Sequence, residues 1–158
     1  KERLAAVLEQ VSAIINVPFL KTDQLSGIWG CLRNVSIPFV RRQTPYFVNG
    51  CVPAIADIVS LSPIRSKLKI HIMNAIRVVF DKGPEVYAEC VWPRNALLVS
   101  ADPVAVDQVG TDILNDHRLD AGLPILGDQQ GRIAHVYDAA RRGLGTVDQD
   151  YIQIVHPE

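Results

Sequence analysis

Apolar residues recur along this chain in short runs separated by polar, turn-forming residues. Leu4, Val7, Leu8 and Val11 keep helical spacing and predict a helix ahead of the run Ala13-Ile14-Ile15-Asn16-Val17. That run is short, β-branched and stopped by Pro18, so it reads as a buried strand. Residues 19–34 read as a loop followed by a short helix that starts near Ser26 or Gly27. Residues 35–49, with Pro38, Pro45 and Asn49 among apolar and basic side chains, read as an irregular excursion. Residues 53–61 predict a short helix with Pro53 in its first turn. From Leu68 to Asn74 the chain alternates: Leu68, Ile70 and Ile72 face one side, Lys69, His71 and Met73 the other. This predicts a second strand, leading into the apolar residues 75–80 and broken at Gly83-Pro84.

Residues 95–100 form a third strand, a continuous apolar run of the kind that parallel sheets require. Asp102-Pro103 then starts a helix. Asp102 is placed to cap free backbone amides, and Pro103 sits where its missing N–H costs nothing. His117-Arg118 suit the negative end of that helix. Residues 127–142 predict a further helix closed by Arg141, Arg142 and Gly143, and residues 151–155 a last strand. Alternating strands and helices predict an α/β fold, a mostly parallel or mixed sheet covered by helices in a single domain spanning residues 1–158.

Composition narrows the function classes. Hydrophobic residues make up 48% and charged residues 21% of 158 residues, ordinary for a globular domain. No apolar run is long enough to span a bilayer, and a net charge of -1 argues against nucleic-acid binding. Residues 1–99 carry 12 basic and 7 acidic side chains, whereas residues 100–158 carry 4 and 10. This asymmetry favours an anionic ligand near the N-terminal half, unless the two halves interleave. Cys31, Cys51 and Cys90 contain no C-x-x-C pair, so zinc ribbons and ferredoxin-type clusters lack ligands, and no metal site is expected. A Cys31–Cys51 or Cys51–Cys90 disulfide stays open beside the reading of three buried thiols. The histidines show no H-x-x-x-H spacing, and the common nucleophile-elbow, P-loop and dinucleotide motifs are absent. No catalytic residue is assigned. The compartment is either cytoplasmic or, if a signal preceded Lys1, exported.

In open sheets, ligands bind beyond the carboxyl ends of strands. The first predicted strand is followed by Lys21 and Thr22, the second ends near Asn74, and the third leads to Asp102 and, five residues on, Asp107. Arg33-Asn34 would extend a basic rim. Lys21, Thr22, Arg33, Asn34, Asn74, Asp102 and Asp107 are therefore the expected ligand-binding set, for a small anion at the carboxyl edge of the sheet. Each also has a plainer reading: a solvated lysine, helix-terminal Arg-Asn, an N-cap aspartate.

The same segments carry a family likeness. Residues 15–22, Leu32-Arg33-Asn34, residues 70–75 with Gly83-Pro84, Ser100-Ala101-Asp102-Pro103-Val104-Ala105-Val106-Asp107 and residues 139–145 agree in order and spacing with a known pattern. The chain resembles the family catalogued as domain of unknown function 362, from about residue 13 to 155. It departs at Asp23, where the family commonly has His, and at Asn74, where Asp is usual; in the matching piece Leu32-Arg33-Asn34 the family usually has Lys-Asn. The resemblance also implies that part of the family's N-terminal region is missing here. Many relatives carry iron–sulfur clusters in a fused cysteine-rich module, often with twin-arginine signals. No such module is present in this sequence, so no cofactor is expected in the chain itself. The resulting expectation is a ligand-binding domain of redox-associated type. The alternative is a non-catalytic domain that docks an electron carrier or partner subunit through the aromatic, basic residues 39–47.

Overall fold

The computed structural model describes residues 3–127 and 133–156. Five strands form one mixed sheet: β1 (Ile14–Asn16), β2 (Phe19–Asp23), β3 (Gly27–Trp29), β4 (Leu68–Val79) and β5 (Val91–Ser100). β4 is the organising strand, because it pairs with three others. β1 runs parallel to its first part, from Ile14↔Leu68 to Asn16↔His71, and β2 runs parallel to its second, with Phe19↔Asn74 and Lys21↔Val79. β5 pairs antiparallel along the opposite edge, from His71↔Ser100 to Val79↔Val91. β1 and β2 thus share one edge as a single strand interrupted at Val17-Pro18. Pro18 has no amide proton to give, but its carbonyl accepts from Asn74 N at 2.8 Å and keeps the edge continuous. β3 closes the sheet as an antiparallel hairpin partner of β2.

The helices are α1 (Val7–Gln10), α2 (Cys31–Asn34), α3 (Ala54–Val59), α4 (Ser62–Arg65), α5 (Pro103–Asp120) and α6 (Ala134–Arg141). α5 lies against Met73 and Leu20 at Gly110, α2 and α6 pack on it, and α3 packs on α2 and α6. The alternation of β4 puts His71, Met73 and Ala75 on this helix-covered face, each fully buried. The opposite face has no helix on it among the described residues. Ile15, Val17, Phe19, Ile76, Leu97 and Val99 stand there between 47% and 65% exposed.

Several predicted elements take a different form. Residues 19–34 hold two strands and a one-turn helix instead of a loop and helix. The polar stretch Lys21–Ser26 hides the strand period, and the Asp23 carboxylate builds the hairpin by accepting from Leu25 N, Ser26 N and the Ser26 hydroxyl at 3.0, 2.8 and 3.0 Å. β5 begins four residues before the predicted start, with Pro93 tolerated because its outer edge has no strand partner among the described residues. The predicted strand at 151–155 is extended chain without a ladder, following a single 3-10 turn at Gln149–Tyr151. Its period is right for a strand, but a strand needs a neighbour to pair with. The helix expected over 127–142 is Ala134–Arg141, and residues 128–132 of that expectation lie outside the described residues. All three cysteines are buried free thiols, which removes both disulfide options.

One contact ties the helical layer together. Asp107, on the inner side of α5, accepts from Cys31 N at 2.5 Å and Leu32 N at 3.0 Å, the open amides at the start of α2. The approach is close enough that a Cβ on Gly30 would lie 2.2 Å from the carboxylate. Replacing Asp107 by Ala leaves two buried amides unpaired, at about 1–3 kcal/mol each. Urea denaturation should therefore show Asp107→Ala destabilised by roughly 2–5 kcal/mol, and Asp107→Asn, which keeps one acceptor, by less.

Candidate functional site

Alternation along β2 turns Phe19 and Lys21 toward the open face and Leu20 and Thr22 toward the helices. Lys21 pairs in register with Trp29 of β3, and its ammonium lies 4.6 Å from the indole centroid. It donates one long hydrogen bond, to Pro84 O at 3.4 Å, so most of its donor capacity is unspent. Beside it is a groove of about 460 Å³ lined by Phe19, Leu20, Lys21, Asn74, Ile76, Arg77, Val79, Val86 and Val91. The walls are mostly aliphatic, with Lys21 and Arg77 as cations and Asn74 as an amide. Asn74 spends its oxygen on Ile76 N at 3.0 Å. Among the described residues, no acidic side chain lines the groove.

Of the expected ligand-binding set, only Lys21 and Asn74 meet here. Thr22 points the other way and accepts from Gly83 N at 3.0 Å, fastening the Gly83-Pro84 turn to β2. Arg33 is buried and pairs with Asp23 at 3.1 Å, gives its Nη1 to Cys51 Sγ at 3.1 Å, and lies 4.5 Å from the Trp29 ring. Asn34 donates to Asn16 Oδ1 at 2.8 Å. Asp102 caps α5 through Val104 N and Ala105 N at 2.8 and 2.9 Å, and its second oxygen accepts from Thr146 N at 2.9 Å. Gly145 makes that last contact possible: a Cβ there would fall 1.9 Å from Asp102 Oδ1. Asp107 is the clamp on α2.

Lys21 and Asp102 do not share a rim. Lys21 is level with Val79 and Ser100 is level with His71, eight residues apart along β4, which at about 3.3 Å per residue is roughly 25 Å. The expectation of convergence assumed that all strand ends point one way. β5 is antiparallel, so its carboxyl end, and Asp102 just past it, lies at the amino end of β4.

Around that far end a polar row crosses the helix-covered face. Asn16 Nδ2 donates to Cys31 O at 3.0 Å and meets His71 Nδ1 at 2.8 Å, so the neutral imidazole accepts there and carries its proton on Nε2. His71 Nε2 has no hydrogen-bond partner among the described residues and is fully buried. Burial pushes its pKa down to about 4, with the charge of Asp102 working in the opposite direction. His135, also buried, is likewise pushed down to about 4, by burial and then by the Arg33 charge. Burial pushes the Asp107 carboxyl up to about 7, against the pull of the two amides it accepts from. The amides of Asn16 and Asn34 and the carboxylate of Asp107 are taken up by hydrogen bonds with one another, with α2 and with His71 Nδ1, whereas His71 Nε2 is not.

The segment 39–47 divides in two. Phe39, Tyr46 and Phe47 pack on the core, while Arg41 to Pro45 are exposed. Among the described residues, no group of three His, Cys, Asp or Glu side chains is placed to hold a metal, and no helix is long and apolar enough to cross a membrane.

With this geometry in place, comparison with known families is informative. The model of one family, "Domain of unknown function (DUF362)", matches residues 1–112, more than two-thirds of the chain. The chain belongs to the DUF362 family. The likeness at residues 139–145 lies beyond the matched part. No curated protein and no solved structure matched the sequence. Asp23 and Arg33 are partners in one buried ion pair.

Sequence reasoning passed over Asn16, His71 and Arg77. Asn16 had a legible signal, an amide inside an otherwise β-branched strand, which burial obliges to find partners. Arg77 sits beside a register shift between Ala75 and Arg77 that moves it to the groove, and no sequence pattern marks that irregularity.

The histidines set a pH dependence. Their folded pKa values lie below the unfolded value, so their contribution is present above about pH 6.5 and is lost as pH falls toward 4. Asp107, raised, gains stability over an overlapping range as pH falls from 7, which offsets part of that loss. Urea midpoints at pH 7.0, 5.5 and 4.5 should decline for the parent chain. They should decline less for His71→Gln, which keeps an acceptor for Asn16 and cannot be protonated.

Proposed function

We propose that this DUF362 chain is a binding domain for a small amphipathic anion, a carboxylate or phosphate ester with an aliphatic or aromatic body. The observation that carries this reading is the groove beside β2, where Lys21 and Arg77 stand among Phe19, Ile76, Val79, Val86 and Val91. Two cations without an acidic neighbour favour an anionic head, and the aliphatic walls favour an apolar body. Asn74 adds an amide for orientation. The reading keeps Lys21 and Asn74 from the expected set and replaces the others by Arg77, because Thr22, Arg33, Asn34, Asp102 and Asp107 are committed to the fold. A redox association rests on the modules fused to relatives and adds nothing to the recognition chemistry of this groove. Partner docking through residues 39–47 has weaker support, since the aromatic side chains that would anchor a partner pack inward.

Titration calorimetry with octanoate, phenylacetate and inorganic phosphate tests the reading. The two carboxylates should bind and phosphate should bind more weakly, having no apolar body. Lys21→Ala and Arg77→Ala should each lower carboxylate affinity about tenfold or more, the loss of a charge-assisted hydrogen bond of roughly 1.5–3 kcal/mol. Asp102→Asn should change stability and leave affinity intact. Equal binding by the parent and a Lys21→Ala/Arg77→Ala double variant would sink the proposal.

A further inference from the structure

The open sheet face and the segment that follows α6 are two apolar surfaces left uncovered, and their charges are opposite. On the sheet, Leu97 and Val99 are each 56% exposed. β1, β2, β4 and β5 contain one acidic residue, Asp23, which is buried, while Arg94 on β5 is exposed. On the other surface, Ile154 and Val155 are 59% and 77% exposed and follow Asp148 and Asp150, also exposed. Residues 151–155 alternate as a strand does, yet they make no ladder. They lie beside α5 and β5, across a crevice of about 390 Å³ that Leu97, Val99, Ile154 and Val155 all line. The outer edge of β5 has no strand partner among the described residues. An unpaired edge next to a β-prone apolar segment is a site for intermolecular pairing.

We infer that a second copy of this chain covers the β5 side of the open face, the acidic apolar segment of each copy lying across the cationic apolar surface of the other. The arrangement is reciprocal. Each copy offers both a surface and a segment, so a single twofold axis satisfies both and closes the assembly at two. Asp148 and Asp150 of one copy then meet the Arg94 side of the other, and Ile154 and Val155 cover Leu97 and Val99. A partner of another kind would need to bring the same acidic, aliphatic segment that the chain already carries. The inference does not depend on the groove: none of these residues lines it.

Light scattering coupled to size exclusion, at protein concentrations from 5 to 200 µM, reads the outcome directly. The parent chain should become a dimer within that range and should not grow beyond it. Leu97→Glu/Val99→Glu and, separately, Ile154→Asp/Val155→Asp change only exposed side chains, and each should weaken dimerisation at least tenfold while circular dichroism stays that of the parent. Arg94→Glu should weaken it, and Asp150→Arg added to Arg94→Glu should restore it in part. A parent that stays monomeric at 200 µM overturns the inference, as does a dimer indifferent to both apolar double variants. A monomer that sediments with phosphatidylserine vesicles also overturns it and gives the face to a lipid surface. A ladder of larger species overturns the reciprocal arrangement.

Discussion

The contact between the Asp107 carboxylate and the first amides of α2 is the constraint from which the rest of the helix-covered face follows. A one-turn helix has little stability of its own, because few of its hydrogen bonds close within it. α2 persists because a carboxylate from α5 satisfies the amides that its own turn cannot, while Gly30 leaves room for that carboxylate to approach. Fixing α2 fixes Cys31 O, to which Asn16 donates, and Asn16 in turn sets the tautomer of His71 at the centre of the sheet. Order therefore passes from α5 through α2 to β1 and β4 by buried hydrogen bonds, each of which would leave an unpaired group if broken. Asp102 and Asp107 belong to one helix but lie five residues apart, about 140° around its axis at about 100° per residue. One faces the loop at Thr146 and the other faces α2.

A second constraint is the direction of β5. The rule that ligands gather beyond the carboxyl ends of strands assumes that those ends lie together, as in parallel sheets. Here β1 and β2 run with β4 and β5 runs against it. The polar turns that look equivalent in sequence are thereby divided between the two ends of a twelve-residue strand. At one end, Asp102 and the nearby Asp107 are occupied by backbone amides of α5, α2 and the loop at Thr146. The Lys21 end keeps donors free and has a groove beside them, which is why the proposed anion site lies there.

Much of this architecture was legible in the chain. The β-branched run at Ile14–Val17, the alternation through residues 68–74 and the Asp102-Pro103 helix start are local signals, set by side-chain periodicity and capping chemistry, and they correspond to β1, β4 and α5. Strand direction is not a local signal. Nothing in residues 95–100 distinguishes a parallel from an antiparallel partner when the run is continuously apolar, and the apolar composition suggested a parallel one. The β2–β3 hairpin was hidden for a different reason. Its turn is built by the Asp23 side chain and its strands carry polar residues, so neither a Gly-rich turn nor an alternating pattern announces it. The site residues were legible as polar groups in apolar surroundings, but whether such a group binds a ligand or binds the fold depends on partners distant in sequence.

The buried pair of Asp23 and Arg33 bears on this last point. Asp23 closes the hairpin turn and neutralises Arg33, so it acts on two elements at once. Arg33 lies against the Trp29 ring, and Lys21 lies against the same ring from β2. A buried guanidinium without a counter-charge would be costly, and its planar fork would not hold one position. With Asp23 beside it, Arg33 is fixed, and the indole that Lys21 lies against has a rigid neighbour. Asp23 and Arg33 thus bear on the Lys21 end of β2 through Trp29, against which both Arg33 and Lys21 lie.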